Sequence, residues 1–246
     1  MWKYKAVVEY YGMGYAGMQR QVGQKTIQGE LEIALSKFAD CESEIDFCGR
    51  TDAGVHAFGQ VVHFVLKKER DCNSVLRGLN FYLQDEKIAV KSVELVDDGF
   101  HCRFDARKRF YVYKILNSGT PSPLHHNLAY RVPYELDLVK MQLAANLLVG
   151  RRVDFSSFCS NECQAPSKER TIDRIEVVRN GDLIEVHYEA KSFLHNMVRI
   201  LTGTLLDVAR GRFDVEDVER ILQAKDRTKA GQTVPPFGLY FMKVEY

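Results

Sequence analysis

The sequence predicts an α+β protein built as two similar halves, and three observations predict it. Alternating strand-like runs and apolar helical stripes follow one another in the order β-α-β-β-α-β before residue 104, and the same order with one added helix follows it. A strong hairpin signal, Asn180-Gly181, lies between two strand-like runs of the second half. At 246 residues the chain is longer than the usual single domain. The expected division is residues 1–103 and 104–246.

In chain order, residues 3–11 alternate and are rich in Val and Tyr, a strand. The segment YYGMGYAGMQRQVGQKT (residues 10–26) has four glycines and no clean period, so it reads as a long, functional loop. Thr26 then caps a helix whose stripe is Ile27, Leu31, Ala34, Leu35 and Phe38. Residues 44–48 form a strand into a polar loop. Val55, Val61, Val62, Phe64 and Val65 read as the next strand, with Gly59 as an interruption or bulge. Asn73 caps a second helix to residue 83, and residues 88–96 alternate as a strand, with both helices on one face of the sheet.

The second half opens with a strand over 109–117, and Pro121, Pro123 and Pro133 punctuate the loop after it. A helix follows over 136–148. Strands over 171–178 and 183–190 flank the Asn180-Gly181 turn. An amphipathic helix over 193–210 ends at Gly211 as a C-cap. A shorter helix over 215–222 and a strand over 238–246 complete the order.

Composition narrows the class. Hydrophobic residues make up 46% of the chain, enough for a sizeable core. The opening residues lack the apolar region and small-residue cleavage site of a signal peptide, and no stretch approaches the roughly 18 apolar residues of a membrane helix. A soluble, intracellular protein is expected. The six cysteines (Cys41, Cys48, Cys72, Cys102, Cys159 and Cys163) contain no CxxC pair, and Cys159-x3-Cys163 has no second pair to complete a zinc site. Free, mostly buried thiols and no metal are expected. The net charge of +1 is weak for a nucleic-acid binder, but HCRFDARKRFYVYK (residues 101–114) interleaves five Lys and Arg residues with four aromatic rings. Cations for phosphates and flat rings for bases suit an RNA surface. A solvated strand edge with its rings in the core is the other reading.

The most informative stretch is CGRTDAGVHAFGQVVHF, from Cys48 to Phe64. Its glycines allow a tight turn around one carboxylate, Asp52, with Arg50 two residues before it. A single carboxylate can act as nucleophile, general base or metal ligand. With no second acid close in sequence, a local two-metal cluster is unsupported, while a glycosidase partner from elsewhere in the chain stays open. Arg50 favours the ionised form of Asp52, which suits a nucleophile or electrostatic stabiliser. A purely structural ion pair is the alternative.

GRTDAGVHAFGQVVHF resembles the central motif of the tRNA pseudouridine synthase A family, close to G-R-T-D-[AS]-G-V-H-[AG]-x-x-Q-V. The similarity continues in order along the chain. Residues 15–21 (YAGMQRQ) resemble Y-x-G-[WF]-Q-x-Q. FHCRFDARKRFYVYKILN resembles F-H-A-R-F-(x)n-K-x-Y-x-Y-x-I-x-N. FLHNMVR (193–199) resembles F-[LM]-H-[HN]-M-V-R. AKDR (224–227) and Gly238-Leu239-Tyr240 fit A-x-x-R and G-L-x-L. Met18 departs from the pattern, standing where an aromatic is usual; as a stacking surface for RNA it is weaker.

The resemblance implies two ferredoxin-like (β-α-β-β-α-β) halves with adjoining antiparallel sheets and a basic cleft between them. It implies an isomerase that detaches uracil from ribose at N1, turns it and rejoins it through C5, at positions 38, 39 and 40 of the tRNA anticodon stem-loop, with no cofactor. Asp52 would be the catalytic residue, attacking C1′ or assisting a glycal intermediate. Arg50 would pair with it and hold the place of a flipped-out nucleotide. Tyr111 would stack on the target base. Tyr113, two residues on and on the same strand face, is its alternative, with a core ring as the plainer reading. Arg199 would contact phosphate or the active site, or form a structural salt bridge. His195 is assigned to capping or packing, and His56 and His63 are not assigned to catalysis. Arg20, Arg107, Lys108 and Arg109 are the candidates for RNA contact. The partners implied are tRNA and a second copy of the chain in a homodimer, in the cytoplasm, with no membrane and no metal. A non-catalytic RNA-binding module and an N-glycoside hydrolase are the competing classes. A pure binder has no need of Asp52, and a hydrolase would release free base.

Overall fold

The computed structural model describes residues 1–39 and 43–246. In chain order the elements are β1 (Trp2–Tyr10), α1 (Ile27–Ala39), β2 (Ile45–Phe47), β3 (His56–Leu66), α2 (Cys72–Tyr82) and β4 (Ile88–Val96), then β5 (Lys108–Leu116), β6 (Tyr130–Arg131), α3 (Leu138–Asn146), β7 (Arg152–Asp154), β8 (Glu169–Asn180), β9 (Leu183–Ala190), α4 (Met197–Ala209), α5 (Asp217–Ala224) and β10 (Leu239–Glu245). The chain is α+β, as expected. It divides into two compact units, Met1–Arg107 with Tyr240–Tyr246, and Lys108–Leu239. The final strand, expected in the second half, therefore lies with the first. Its start pairs parallel with β3, Tyr240 opposite His56 and Phe241 opposite Ala57.

The first unit follows the expected β-α-β-β-α-β order. Its sheet runs β4-β1-β3-β10, with β2 beside the far end of β3. β1 is antiparallel to both β3 and β4. Alternation along β1 buries Tyr4, Ala6, Val8 and Tyr10. Between the pairs Val8–Gln60 and Tyr10–Ala57, β3 holds one residue more than β1. That stretch contains Gly59, so the bulge is present. The glycine has a second reason: a Cβ there would stand 2.5 Å from the Met242 carbonyl of β10. Thr26 accepts from the Gly29 N–H at 3.2 Å, as a helix cap should. The cap of α2 is Asp71, not Asn73: its carboxylate accepts from the Ser74 N–H at 2.9 Å. α1 and α2 pack closely where Phe38 covers Gly78, leaving no room for a Cβ.

The sheet of the second unit runs β5-β9-β8-β7, antiparallel throughout, with the short β6 parallel to the end of β5. The β8–β9 hairpin forms as expected, but Asn180 is still paired, with Leu183. The turn is Gly181-Asp182, and Gly181 has φ +60°, so the glycine takes the first central position. Helix α3 packs on β8 and on α4. α4 begins four residues later than the apolar stripe suggests, because Asn196 adopts φ +60° at its N-cap. Gly211, with φ +76°, closes it.

Candidate active site

The Asp52 loop is fixed by its own unit on both sides. Cys48 N–H donates to the Val61 carbonyl at 2.8 Å as the chain leaves β2. The Gly49 carbonyl accepts from the Gln60 Nε2 at 2.8 Å, and its N–H donates to Gln60 Oε1 at 3.3 Å. A buried side-chain amide thus replaces a strand partner for Gly49. Thr51 points inward, its hydroxyl 2.7 Å from the buried Tyr10 hydroxyl. Burial pushes the Tyr10 hydroxyl up to about 12, against the opposing effect of hydrogen bonds with Thr51 and Gln60, so it remains protonated. Val55 N–H then donates to the Asp52 carbonyl at 3.1 Å, and Gly54 has φ +80°, the pattern of a type II turn. The Asp52 side chain is half-buried on this turn and Arg50 is exposed.

The glycine-rich segment before α1 is the floor of the loop. Met18 N–H donates to the Thr51 carbonyl at 3.0 Å. A Cβ on Gly17 would lie 2.8 Å from that carbonyl, and one on Gly12 would lie 2.0 Å from the Val55 carbonyl. Gly12 N–H also donates to His56 Nδ1 at 3.1 Å, and the His56 ring packs between Tyr11 and Tyr240, 4.8 Å from each. His56 is a packed, buried residue, as expected. Met18 is not a stacking surface: it is fully buried, and its side chain fills the core. Arg50 stands exposed, two residues before the half-buried Asp52. An exposed guanidinium gains little from pairing in water and loses side-chain freedom by it.

In the second unit, Tyr111 and Tyr113 share one face of β5 but differ in use. Tyr113 is fully buried; its hydroxyl donates to the Pro235 carbonyl at 2.7 Å, and its ring occupies the space a Cβ on Gly238 would need. It is a core ring. Tyr111 stands edge-on to Phe193 at 5.2 Å. Arg199, on the first turn of α4, is half-buried; its Nε donates to the Val234 carbonyl at 2.9 Å and one terminal nitrogen to Asn196 Oδ1 at 2.8 Å. The left-handed Asn196 thus orients the arginine one turn further on.

Comparisons with known proteins place these residues in context. The sequence model described as tRNA pseudouridine synthase matches residues 6–105 and 144–246. The chain belongs to the tRNA pseudouridine synthase family. It is accordingly an isomerase that converts uridine in tRNA to pseudouridine. Proteins named tRNA pseudouridine synthase A are similar over nearly the full length. The one from Anaplasma marginale (strain Florida) is 45% identical over 99% of this chain and 100% of its own. That of Ehrlichia canis (strain Jake) is 43% identical, over 99% and 100%. That of Brucella anthropi is 42% identical, over 99% and 98%. A chain of a solved Cbf5-Nop10-Gar1 complex aligns with TM-score 0.32 and 11% identity over 82% of this chain and 53% of that one, a score that carries no argument.

The basic residues of the synthase separate by environment. Arg20 is exposed but bridged to Glu32 at 3.0 Å. Arg107 is exposed and makes no ion pair among the described residues. Lys108 lies 3.4 Å from Glu189 and 3.5 Å from Asp173; desolvation lowers its pKa, but the two acids outweigh that and raise it. Arg109 is buried, donating to the Lys191 carbonyl. Of the aromatic rings interleaved with them, Phe104 is 73% exposed, with the Arg103 guanidinium 5.9 Å from its centroid. The stretch is therefore part exposed cation-and-ring surface and part strand whose side chains are already engaged. No helix among the described residues is long and apolar enough to cross a membrane.

Sequence reasoning gave no role to Gln60, which holds the Gly49 backbone, or to Tyr10, which meets the Thr51 hydroxyl, on either side of Arg50. Gln60 stood in the quoted motif, but its task depends on which backbone it faces across β3. The cysteines of the synthase are free thiols at Cys48, Cys72, Cys102, Cys159 and Cys163, the first, third and fourth buried; Cys41 lies outside the described residues. Cys163 is pulled down to about 7: burial raises it, but the N–H groups of Ala165 and His195, the Cys159 thiol and Lys168 outweigh burial. Burial, with Cys163 beside it, pushes Cys159 up to about 12. The backbone carbonyl of the exposed His195 accepts from the Ser160 N–H at 3.1 Å.

Proposed function

We propose that this isomerase acts on uridines at positions 38, 39 and 40 of the tRNA anticodon stem-loop, with Asp52 as the nucleophile. The N1–C1′ bond breaks, the base turns, and C5 bonds to C1′; C5 loses its proton and N1 gains one. The atoms balance without an oxidant, a reductant or a cofactor. Asp52 either attacks C1′ or assists formation of a glycal, and in both routes its charge stabilises the electron-deficient C1′. Tyr111 stacks on the target base, Arg199 holds substrate, and Arg50 occupies the place of the extruded nucleotide. Arg107, with Arg20 and Lys108, contributes phosphate contacts, while Arg109, expected among them, is committed to the Lys191 carbonyl. The active species is a cytoplasmic homodimer that binds tRNA across both subunits, and a chain of net charge +1 suits a local basic surface.

The observation that supports the reading is the turn at Asp52. Hydrogen bonds hold its backbone on each side while the carboxylate stays half-exposed, which suits a reacting group on a rigid scaffold. The test is incubation with tRNA tritiated at uridine C5. Tritium release with pseudouridine formed, and its loss in Asp52→Asn, supports the reading. Free uracil without pseudouridine would identify a hydrolase, and tRNA binding without tritium release a binding module. Light scattering of the purified protein checks the dimer.

A further inference from the structure

His63, His101 and Cys102 place one ligand atom each within 4.8 Å of one another in the first unit. The set joins a buried histidine of β3 to a half-buried histidine and a buried thiol in the connection after β4. We propose that these three residues form a zinc site, independent of the isomerase reading. Zinc takes imidazole nitrogen and thiolate at ~2.0–2.1 Å and ~2.3 Å, which puts tetrahedral N and S donors about 3.5 Å apart. The observed His63 Nδ1–Cys102 Sγ separation is 3.1 Å, so a small outward shift makes room for the ion.

The surroundings suit a metal-binding histidine. His63 Nε2 lies 3.4 Å from the Asp46 carboxylate. A proton on Nε2 directed at that acid leaves the Nδ1 lone pair facing the thiol, the carboxylate–histidine arrangement that orients zinc ligands. Asp105 accepts from the His101 N–H at 2.8 Å and, like Asp46, acts electrostatically on His63 against His101 and Lys3. Zinc binding displaces the Cys102 thiol proton to solvent. Cys102 stands where the motif F-H-A-R-F has alanine, so the thiol is a feature of this chain. A filled site would clip β3, which follows the Asp52 loop, to the connection that leads into β5.

The test is cobalt and zinc titration of metal-free, full-length protein. The expected result is one Co²⁺ per chain with a thiolate-to-cobalt charge-transfer band, displaced by Zn²⁺, and a thermal midpoint that rises with Zn²⁺. Cys102→Ala, which installs the residue of the motif, should keep the fold by circular dichroism and lose the band and the thermal shift. Asp46→Asn should weaken zinc binding by about 10–100-fold while leaving the band. A Cys159→Ser/Cys163→Ser double variant should retain both. No saturable binding by the unaltered chain, or a band that survives Cys102→Ala, overturns the proposal.

Discussion

The backbone N–H of Met18 donates to the carbonyl of Thr51 at 3.0 Å, so the residue immediately before Asp52 is held by a segment more than thirty positions upstream. Gly17, with φ +98°, makes that approach possible. Gly17→Ala adds a methyl 2.8 Å from the Thr51 carbonyl in a backbone conformation that alanine avoids. The expected cost is about 1–3 kcal/mol of stability, with a fall in kcat larger than any change in tRNA affinity. Thermal melts and single-turnover kinetics check it; unchanged kcat would show that the floor does not position Asp52.

Asp52→Asn should abolish turnover and leave tRNA affinity nearly unchanged, because it keeps the turn and removes only the charge. Filter binding beside the tritium-release assay separates the two. Substantial residual activity would make Asp52 a structural residue.

Tyr111 and Tyr113 give opposite expectations although they share a strand face. Tyr113→Phe removes a buried hydrogen bond to Pro235, costing about 1 kcal/mol, with kcat near that of the unaltered protein. Tyr111→Ala should lower kcat severely with little loss of tRNA binding. If Tyr113→Phe proves the more damaging to kcat, the assignment of the base-stacking ring reverses.

The cations divide in the same way. Arg107→Ala should weaken tRNA binding and reduce the slope of log K against log salt by about 1. Arg109→Ala should instead lower the thermal midpoint, since its guanidinium is committed to the Lys191 carbonyl. A full salt-slope change for Arg109 with no stability loss would return it to the RNA surface.

Cys163 should be the first of the Cys159–Cys163 pair to be alkylated. A thiol depressed to about 7 is thiolate above that pH and loses reactivity as pH falls through it, whereas Cys159, near 12, stays protonated. Mass spectrometry of iodoacetamide-treated protein across that range reads both sites. A labelling rate for Cys163 that is flat through pH 7 contradicts the expectation.

Much of this was legible in the residues because it is local. The Gly54 turn, the Gly181 hairpin, the Thr26 cap and the Gly211 stop each follow from one residue's conformational preference. What was not legible depends on partners distant in sequence. Met18 occupies an aromatic register, yet its burial is set by the core beneath the loop. Asp71 displaced Asn73 as a cap because two adequate caps stood close together. Arg109 reads as one more cation of a basic run until β5 pairs with β9 and sets Arg109 opposite Ala190, beside the Lys191 carbonyl. The His63–His101–Cys102 cluster eluded a search for close cysteine pairs because its members come from β3 and from a loop after β4.

The place of β10 bears on how the protein is made. The strand that pairs with His56 and whose Met242 carbonyl lies over Gly59 is synthesised only after the whole second unit. At ribosomal rates of ~5–20 residues per second, the first unit waits on the order of ten seconds with that edge of β3 unpaired. An open strand edge is a template for the wrong partner. The nascent Asp52 loop therefore spends that interval beside an exposed edge, and chaperone demand should be highest while the second unit is being made.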